Sequence, residues 1–254
     1  MEEQVRVLEG LWGDVRELSL GNRIQRLDSA PTPLQFLRDY VSPNKPCIIS
    51  NAISHWPALS LWPNLSYLSS SLSDSTVSLH LTPDGRADSL VPLETPKKGE
   101  TCFASAHVEH VPFPCALDLV LNSERNNVVG YLQQQNDCFR EEYSVLASDC
   151  DAHIPWATEA LGGCLPEAVN LWIGNHSSET SFHKDHYENL YAVVSGEKQF
   201  LPTSSYGRAS HVHSRVSSCS IFLYQWLWRV QIGVGEAAEI CALVQRESLP
   251  ASRD

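Results

Sequence analysis

Apolar residues at the start of the chain recur at intervals of three and four, the spacing of one face of an α-helix. The stripe consists of Val5, Leu8, Leu11, Trp12, Val15 and Leu18. It predicts an amphipathic helical segment within residues 1–28. We expect this stripe to pack on the rest of the protein, and a homodimer contact is the alternative use.

Further along, the pattern changes to short apolar runs separated by turns. Residues 33–40 predict a short helix that begins at Pro33, and "PCIIS" predicts a buried strand. "STVSLHLTPDGRADS" alternates like a strand and then contains the turn Pro83-Asp84-Gly85, which predicts an ordinary hairpin. "PCALDLVLNSE" predicts another short helix.

The middle of the chain is dominated by strand patterns. "NNVVGYLQQQN" predicts a strand with Val129 and Tyr131 on one face, and "VNLWIGN" and "ENLYAVVSGEKQFL" are interpreted as strands of a β meander. Short strands between turns, with helices gathered toward the N-terminus, predict a mainly β domain of sandwich or jelly-roll type. We place this domain at residues 29–200.

The pattern changes again after Phe200. Residues 201–254 begin with a serine-rich stretch and continue through the apolar "IFLYQWLWRVQIGV" to a polar end. They are predicted to form a divergent tail, such as an alternative splice product or a frameshifted gene model would carry. The β domain is therefore expected to be incomplete at its C-terminal end and to leave sheet edges exposed.

Charge and cysteine usage limit the classes of partner. The formal net charge of −12 argues against nucleic-acid binding through a basic surface and favours a basic protein partner. Neither a signal peptide nor a membrane span is expected from the apolar pattern. The eight cysteines lack Cys-x-x-Cys spacing, so we expect reduced, mostly buried thiols and a cytoplasmic or nuclear location.

The stretch "SETSFHKDHYENLYAVVSGEKQF" carries the candidate chemistry. His183 and Asp185 project from one face of a strand and can supply two of the three ligands of a facial Fe(II) triad. Lys198, Thr180 and Tyr131 can bind the carboxylate of a cosubstrate, because a buried cation calls for an anion. The alternatives are a solvated strand face for the pair and a surface position for Lys198.

Three segments resemble a known family: "PTPLQFLRDYVSPNKPCIISNAISHWPAL", "PWATEALG" and "AVNLWIGNHSSETSFHKDHYENLYAVVSGEKQF". They are similar to the cupin-like jumonji-C oxygenases, and most of all to the jumonji-domain-containing protein 7 family of lysyl hydroxylases. The resemblance covers roughly residues 30–200. It implies a double-stranded β-helix that uses Fe(II) and 2-oxoglutarate.

The resemblance also implies roles for individual residues and a class of substrate. His183 and Asp185 would bind the metal, and Lys198, Thr180 and Tyr131 would contact 2-oxoglutarate. Asn189 falls where related enzymes place a polar residue near the cosubstrate, and no catalytic residue beyond the metal site is predicted. The implied partner is a protein with an exposed lysine, of the GTP-binding class.

The last metal ligand of the family has no match in this sequence. After His186 the only histidines are His211 and His213, which lie 26 and 28 residues beyond Asp185 and are weak candidates. "HVEH" at residues 107–110 has metal-like spacing, but we expect it to be solvated. Two functions therefore stay open: a protein lysyl hydroxylase, or a non-catalytic relative that binds peptides or regulates.

Overall fold

The computed structural model describes residues 24–93, 99–123, 127–181, 183–201, 214–217, 220–227, 229–232 and 239–247. The amphipathic segment predicted near the N-terminus lies outside these ranges. So do the two weak ligand candidates, His211 and His213.

Strands dominate the described part of the chain, which confirms the mainly β prediction. They are, in chain order, β1 (Gln25–Leu27), β2 (Cys47–Ile49), β3 (Thr76–Thr82), β4 (Arg86–Ala87), β5 (Ser89–Pro92), β6 (Thr101–Ala104), β7 (His107–Pro112), β8 (Val129–Tyr131), β9 (Ala168–Gly174), β10 (Glu179–Thr180), β11 (His183–Ser195), β12 (Glu197–Leu201), β13 (Ser214–Ser217), β14 (Ser220–Leu227), β15 (Arg229–Ile232) and β16 (Glu239–Glu247).

The helices of the described residues are short. They are α1 (Pro33–Phe36), continued by a π-helical turn (Leu37–Val41), α2 (Ala58–Leu61), α3 (Leu65–Ser71), α4 (Phe113–Leu121), α5 (Cys138–Glu141), a 3₁₀ turn (Ser144–Asp149) and α6 (Pro155–Ala160). None of them has the length and apolar character needed to cross a membrane. Helix α1 starts where the sequence predicts, because Thr32 and Gln35 form a reciprocal capping box ahead of Pro33.

Two sheets build the body of the domain. The six-stranded sheet has the order β1-β2-β14-β11-β16-β9, and the five-stranded sheet has the order β13-β12-β15-β10-β4. Side chains from both sheets meet in one apolar cluster, to which Trp172, Tyr191 and Val193 contribute from the first sheet and Phe200 and Val216 from the second. The interior between the two sheets is therefore a packed space lined by both.

From residue 188 to residue 195, strand β11 is buried on both of its faces. Tyr191 and Val193 point into the space between the sheets, whereas Leu190, Ala192 and Val194 pack in the larger core that the helices share. This alternation follows from the period of two along a strand. It explains why "NLYAVV" is almost continuously apolar although it belongs to an antiparallel pair.

Two predicted connections are wrong. The strands predicted as a meander are not neighbours: β9 pairs with β16, β11 pairs with β14 and β16, and β12 pairs with β13 and β15. The chain changes sheet between β11 and β12 at Gly196, whose φ of 77° suits glycine. Likewise β3 and β4 do not form a hairpin, because β3 pairs with β7 and β8 whereas β4 pairs with β10.

The predicted divergent tail contributes strands to both sheets. Strand β14 lies between β2 and β11, and β16 lies between β11 and β9. Within the described residues, strand β11 therefore has a neighbouring strand on each side, so the tail does not leave a sheet edge exposed at this strand. The segment boundaries 1–28, 29–200 and 201–254 stay predictions.

Six cysteines of the described residues are free thiols. They are Cys47, Cys102, Cys115, Cys138, Cys150 and Cys164. The expectation that most are buried is wrong for this set, since only Cys47 and Cys138 are fully buried. Burial raises the pKa of both thiols to about 12, which makes them unreactive.

Gly85 fixes strand β4 to the loop before β10. Its φ is +89°, and a Cβ added there would lie 1.8 Å from the backbone oxygen of Ser177. The backbone oxygen of Gly85 also accepts a hydrogen bond of 2.9 Å from the amide of Glu179. No side chain fits between these two backbones.

We expect Gly85→Ala to lower the free energy of unfolding by about 3 kcal/mol, because left-handed strain and overpacking act together. Gly163→Ala is the matched control, since Gly163 has φ +79° with no heavy atom within 4 Å of the added Cβ. It should cost about 1 kcal/mol from strain alone. Urea denaturation measures both losses, and equal losses would rule out the clash at Ser177.

Candidate functional site

His183 and Asp185 stand at the first residues of strand β11, near the centre of the six-stranded sheet. His183 Nε2 lies 3.6 Å from Asp185 Oδ1, and both side chains are partly buried. Two donor atoms that each bind one divalent ion at about 2 Å can be at most about 4 Å apart. The predicted pair therefore has a separation at which both atoms can reach a single ion.

A backbone contact sets the orientation of the His183 ring. Its Nδ1 donates a hydrogen bond of 2.8 Å to the carbonyl oxygen of Ser181, which leaves Nε2 facing Asp185. Metal-binding histidines are commonly held through their other ring nitrogen in this way. Burial lowers the pKa of His183, but the hydrogen bonds to Asp185 and Ser181 outweigh it, so the pKa lies above its usual value.

Asn189 holds the oxygen of the Asp185 carboxylate that does not face His183. Asn189 Nδ2 donates a hydrogen bond of 2.8 Å to Asp185 Oδ2, so that Oδ1 is the oxygen left toward His183. Asn189 is fully buried, and its Oδ1 has no hydrogen-bond partner among the described residues. That unsatisfied acceptor points to a further donor at the site.

The pairing of β11 is irregular just after His183, and Asp185 lies within the irregular stretch. The register of β11 against β14 shifts between Lys184 and Asn189. The ladder with β16 begins only at Tyr187. Bulges re-aim side chains and recur beside functional sites.

Lys198 lies in the space between the two sheets. It is 1% exposed, and its Nζ donates a hydrogen bond of 2.8 Å to Tyr131 Oη. The Nζ also lies 5.3, 5.6 and 5.5 Å from the ring centroids of Tyr131, Trp172 and Tyr191. Aromatic faces at this range stabilise a cation.

Thr180 belongs to the same face of the five-stranded sheet as Lys198. Thr180 on β10 and Phe200 on β12 both stand opposite Val230 of β15, and Lys198 lies two residues before Phe200. Directly paired residues, and residues two apart, share a face. Thr180 Oγ1 is buried and has no hydrogen-bond partner among the described residues.

The two halves of the site face a common interior. Tyr191, whose ring lies beside Lys198, stands two residues after Asn189 on the same face of β11. The side chains of Asn189 and Tyr191 therefore connect the two parts of the site. Asn189 contacts Asp185 of the predicted metal pair, and Tyr191 contacts Lys198 of the predicted carboxylate-binding group.

The donor set fits a divalent ion with an anionic chelator better than an ion held by protein alone. Within the described residues, no group of three His, Cys, Asp or Glu side chains lies close enough to hold a metal. His183 and Asp185 supply two donors. A buried ammonium and buried hydroxyl groups on the facing side suit the carboxylate of a second molecule.

Sequence reasoning missed several residues of this site. Trp172, Tyr191 and the carbonyl of Ser181 were not predicted, although the period of two from Asn189 could have indicated Tyr191. The "HVEH" segment lies in strand β7, and its side chains are largely solvent-exposed as expected. A cavity of about 700 Å³ lies elsewhere, beside α5, and none of the six predicted site residues lines it.

Known proteins resemble this chain in sequence and in fold. The cupin-like domain family matches residues 33–204. Lysine-specific demethylase JMJ32 of Arabidopsis thaliana is 64% identical over 194 residues, covering 76% of this chain and 54% of the relative. Bifunctional peptidase and (3S)-lysyl hydroxylase JMJD7 of Homo sapiens is 44% identical over 186 residues, covering 73% and 56%.

The chain spans about half the length of these curated relatives. Among solved structures, the Escherichia coli ribosomal oxygenase YcfD superimposes with a TM-score of 0.53 at 11% identity, over 90% of this chain and 54% of that one. This likeness concerns the fold alone. Because the family match spans residues 33–204, more than half of the chain, the chain belongs to the cupin-like domain family.

Proposed function

We propose that the protein is a protein lysyl hydroxylase that depends on Fe(II) and 2-oxoglutarate. The observation that carries this proposal is the single interior shared by the His183–Asp185 pair and the buried Lys198–Tyr131 pair. JmjC oxygenases generally use Fe(II) and 2-oxoglutarate, and one relative of this chain is named as a lysyl hydroxylase.

In the proposed site His183 Nε2 and Asp185 Oδ1 hold the ion. The Ser181 carbonyl keeps the imidazole in the tautomer with a free Nε2, and Asn189 keeps the carboxylate turned toward it. When bound, Fe(II) would let dioxygen convert an unactivated C–H bond to C–OH, with the second oxygen atom passing to 2-oxoglutarate, which would leave as succinate and carbon dioxide. The protein's task is to fix the ligands and exclude water.

Lys198 is proposed to bind the far carboxylate of 2-oxoglutarate, with help from the hydroxyl groups of Tyr131 and Thr180. A charge-assisted hydrogen bond is stronger in an interior of low dielectric than in water. Three aromatic rings lie within 5.6 Å of the ammonium and stabilise its charge. This arrangement favours a small dicarboxylate over a neutral molecule.

The choice between hydroxylation and demethylation rests on the substrate. The relatives carry both names, lysyl hydroxylase and lysine demethylase, and both reactions oxidise a C–H bond of a lysine side chain. Our proposal of hydroxylation follows the resemblance of the three sequence segments to the lysyl hydroxylase family, whereas the relative named as a demethylase has the higher identity, 64% against 44%. The GTP-binding substrate, the homodimer and the cytoplasmic or nuclear location stay predictions.

A non-catalytic binding protein is the second candidate. The strands that flank β11 are β14 and β16, and neither contains a histidine. A neighbouring strand therefore does not supply a second histidine to the His183–Asp185 pair. A relative with two protein ligands would bind 2-oxoglutarate and peptide without turning them over.

We expect the purified protein with Fe(II), oxygen and 2-oxoglutarate to form succinate, and His183→Ala to abolish it. His55→Ala is the control, because His55 is exposed and pairs with Asp151. Mass spectrometry of a lysine-containing protein substrate then separates the gain of one oxygen from the loss of a methyl group. A folded wild-type chain without succinate formation would favour the second candidate.

We expect Lys198→Met to weaken 2-oxoglutarate binding by about 100-fold, since a buried charge-assisted hydrogen bond contributes about 3 kcal/mol. Lys198→Arg should recover part of the affinity because it keeps the charge. Lys45→Met, at an exposed position, is the control. Calorimetric titration with 2-oxoglutarate measures all three. Unchanged affinity in a folded Lys198→Met protein would contradict the proposed role.

A further inference from the structure

Strands β5 and β6 form a two-stranded ribbon separate from the two main sheets. Leu90 and Phe103 stand directly opposite each other in this ribbon. They are 72% and 66% exposed, although both are large apolar side chains. Directly opposed residues share a face, so the two side chains form one apolar surface. Exposed apolar patches of this kind commonly mark contact with another molecule.

Asp88 lies at the base of the ribbon, one residue before β5. Its φ of 53° is in the left-handed region, and its Oδ1 accepts a hydrogen bond of 2.8 Å from Ser105 Oγ. The side chain is exposed. A non-glycine residue in this conformation holds its side chain in a direction that a regular strand would not give.

The base of the ribbon adjoins the candidate site through the backbone. Ala87, the residue before Asp88, pairs with Thr180 of β10. The residue after Thr180 is Ser181, whose carbonyl orients the His183 ring. Asp88 thus continues strand β4 alongside the segment that leads into β11.

We infer that Asp88, Leu90 and Phe103 form a docking surface for an extended, lysine-bearing segment of a protein substrate. The inference rests on the proposed function, whose substrate recognition it specifies. The carboxylate binds the lysine ammonium at the mouth of the site, and the leucine–phenylalanine pair covers a neighbouring apolar side chain.

Charge and spacing both favour this occupant. The chain has a net charge of −12, which attracts basic segments. Asp88 precedes β5 directly and Leu90 is the second residue of that strand, so one extended segment that follows the ribbon can contact both side chains. The docking surface therefore takes a lysine with an apolar residue close to it in the same segment.

Binding of a short fluorescent peptide tests the docking surface without metal. The peptide contains one lysine and a leucine two positions beyond it, and a second peptide has norleucine in place of the lysine. Asp88→Asn removes the charge, keeps an acceptor for Ser105 and tolerates a positive φ. Asp74→Asn is the exposed control carboxylate, and Leu34→Ser is the exposed apolar control for Leu90→Ser.

We expect Asp88→Asn to weaken binding of the lysine peptide by about fivefold, as for one exposed charge pair. The norleucine peptide should bind the wild-type protein about fivefold more weakly and be insensitive to the same substitution. Leu90→Ser should weaken both peptides. Both control variants should bind like the wild type, and fluorescence anisotropy gives every affinity.

Equal affinity of wild-type and Asp88→Asn protein for the lysine peptide would overturn the inference, as would failure of the wild type to bind it. A dimer that dissociates on Leu90→Ser with unchanged peptide affinity would also overturn it, because the surface would then serve self-association. Succinate formation is measured separately. Peptide binding that depends on Asp88 without turnover would refute the proposed function and leave the docking surface standing.

Discussion

The ammonium group of Lys198 is the interaction on which the arrangement of the site depends. Removing a cation from water costs several kcal/mol unless hydrogen bonds and polarisable neighbours compensate. Here the compensation comes from Tyr131 on β8, Trp172 on β9 and Tyr191 on β11, while Lys198 itself belongs to β12. Side chains from three sheets must converge on one point, so their relative positions are fixed by a single charge.

Strand β11 lies between the site around the Lys198 ammonium and the large core that contains the helices. One face of the strand contacts the interior between the sheets, and the other face packs in the large core with the helices. The helices thereby support the site without contributing a side chain to it. A substitution at Leu190 or Val194 would shift the side chains of the site through the backbone of β11, because close-packed interiors transmit strain.

Local patterns in the sequence predicted local features well. The period of two placed His183 and Asp185 side by side, and the resemblance brought Lys198 and Tyr131 together before any contact was seen. Pairing between distant strands was not predictable in the same way. Nothing in "VNLWIGN" or in "ENLYAVV" indicates that β16 lies between them, because strand order depends on long-range packing rather than on local pattern.

In the tail, the sequence pattern failed to predict a strand that is present. Its serine-rich start hides the alternation that a strand needs, yet β13 pairs with β12 along Glu197–Phe200. Val216 is fully buried in the cluster between the sheets, and its burial anchors this strand. One residue in a polar stretch was too weak a signal to predict a strand.

The shift in register divides β11 into a part that is paired on both sides and a part that is paired less completely. From Asn189 onward the strand has partners on both sides, whereas its first residues are paired on one side or lie within the shift in register. Local opening costs least where backbone pairing is sparse. The end that carries His183 and Asp185 therefore has fewer backbone partners than the rest of the strand. It can adjust to an incoming ion by small backbone motions while the residues from Asn189 onward stay paired on both sides.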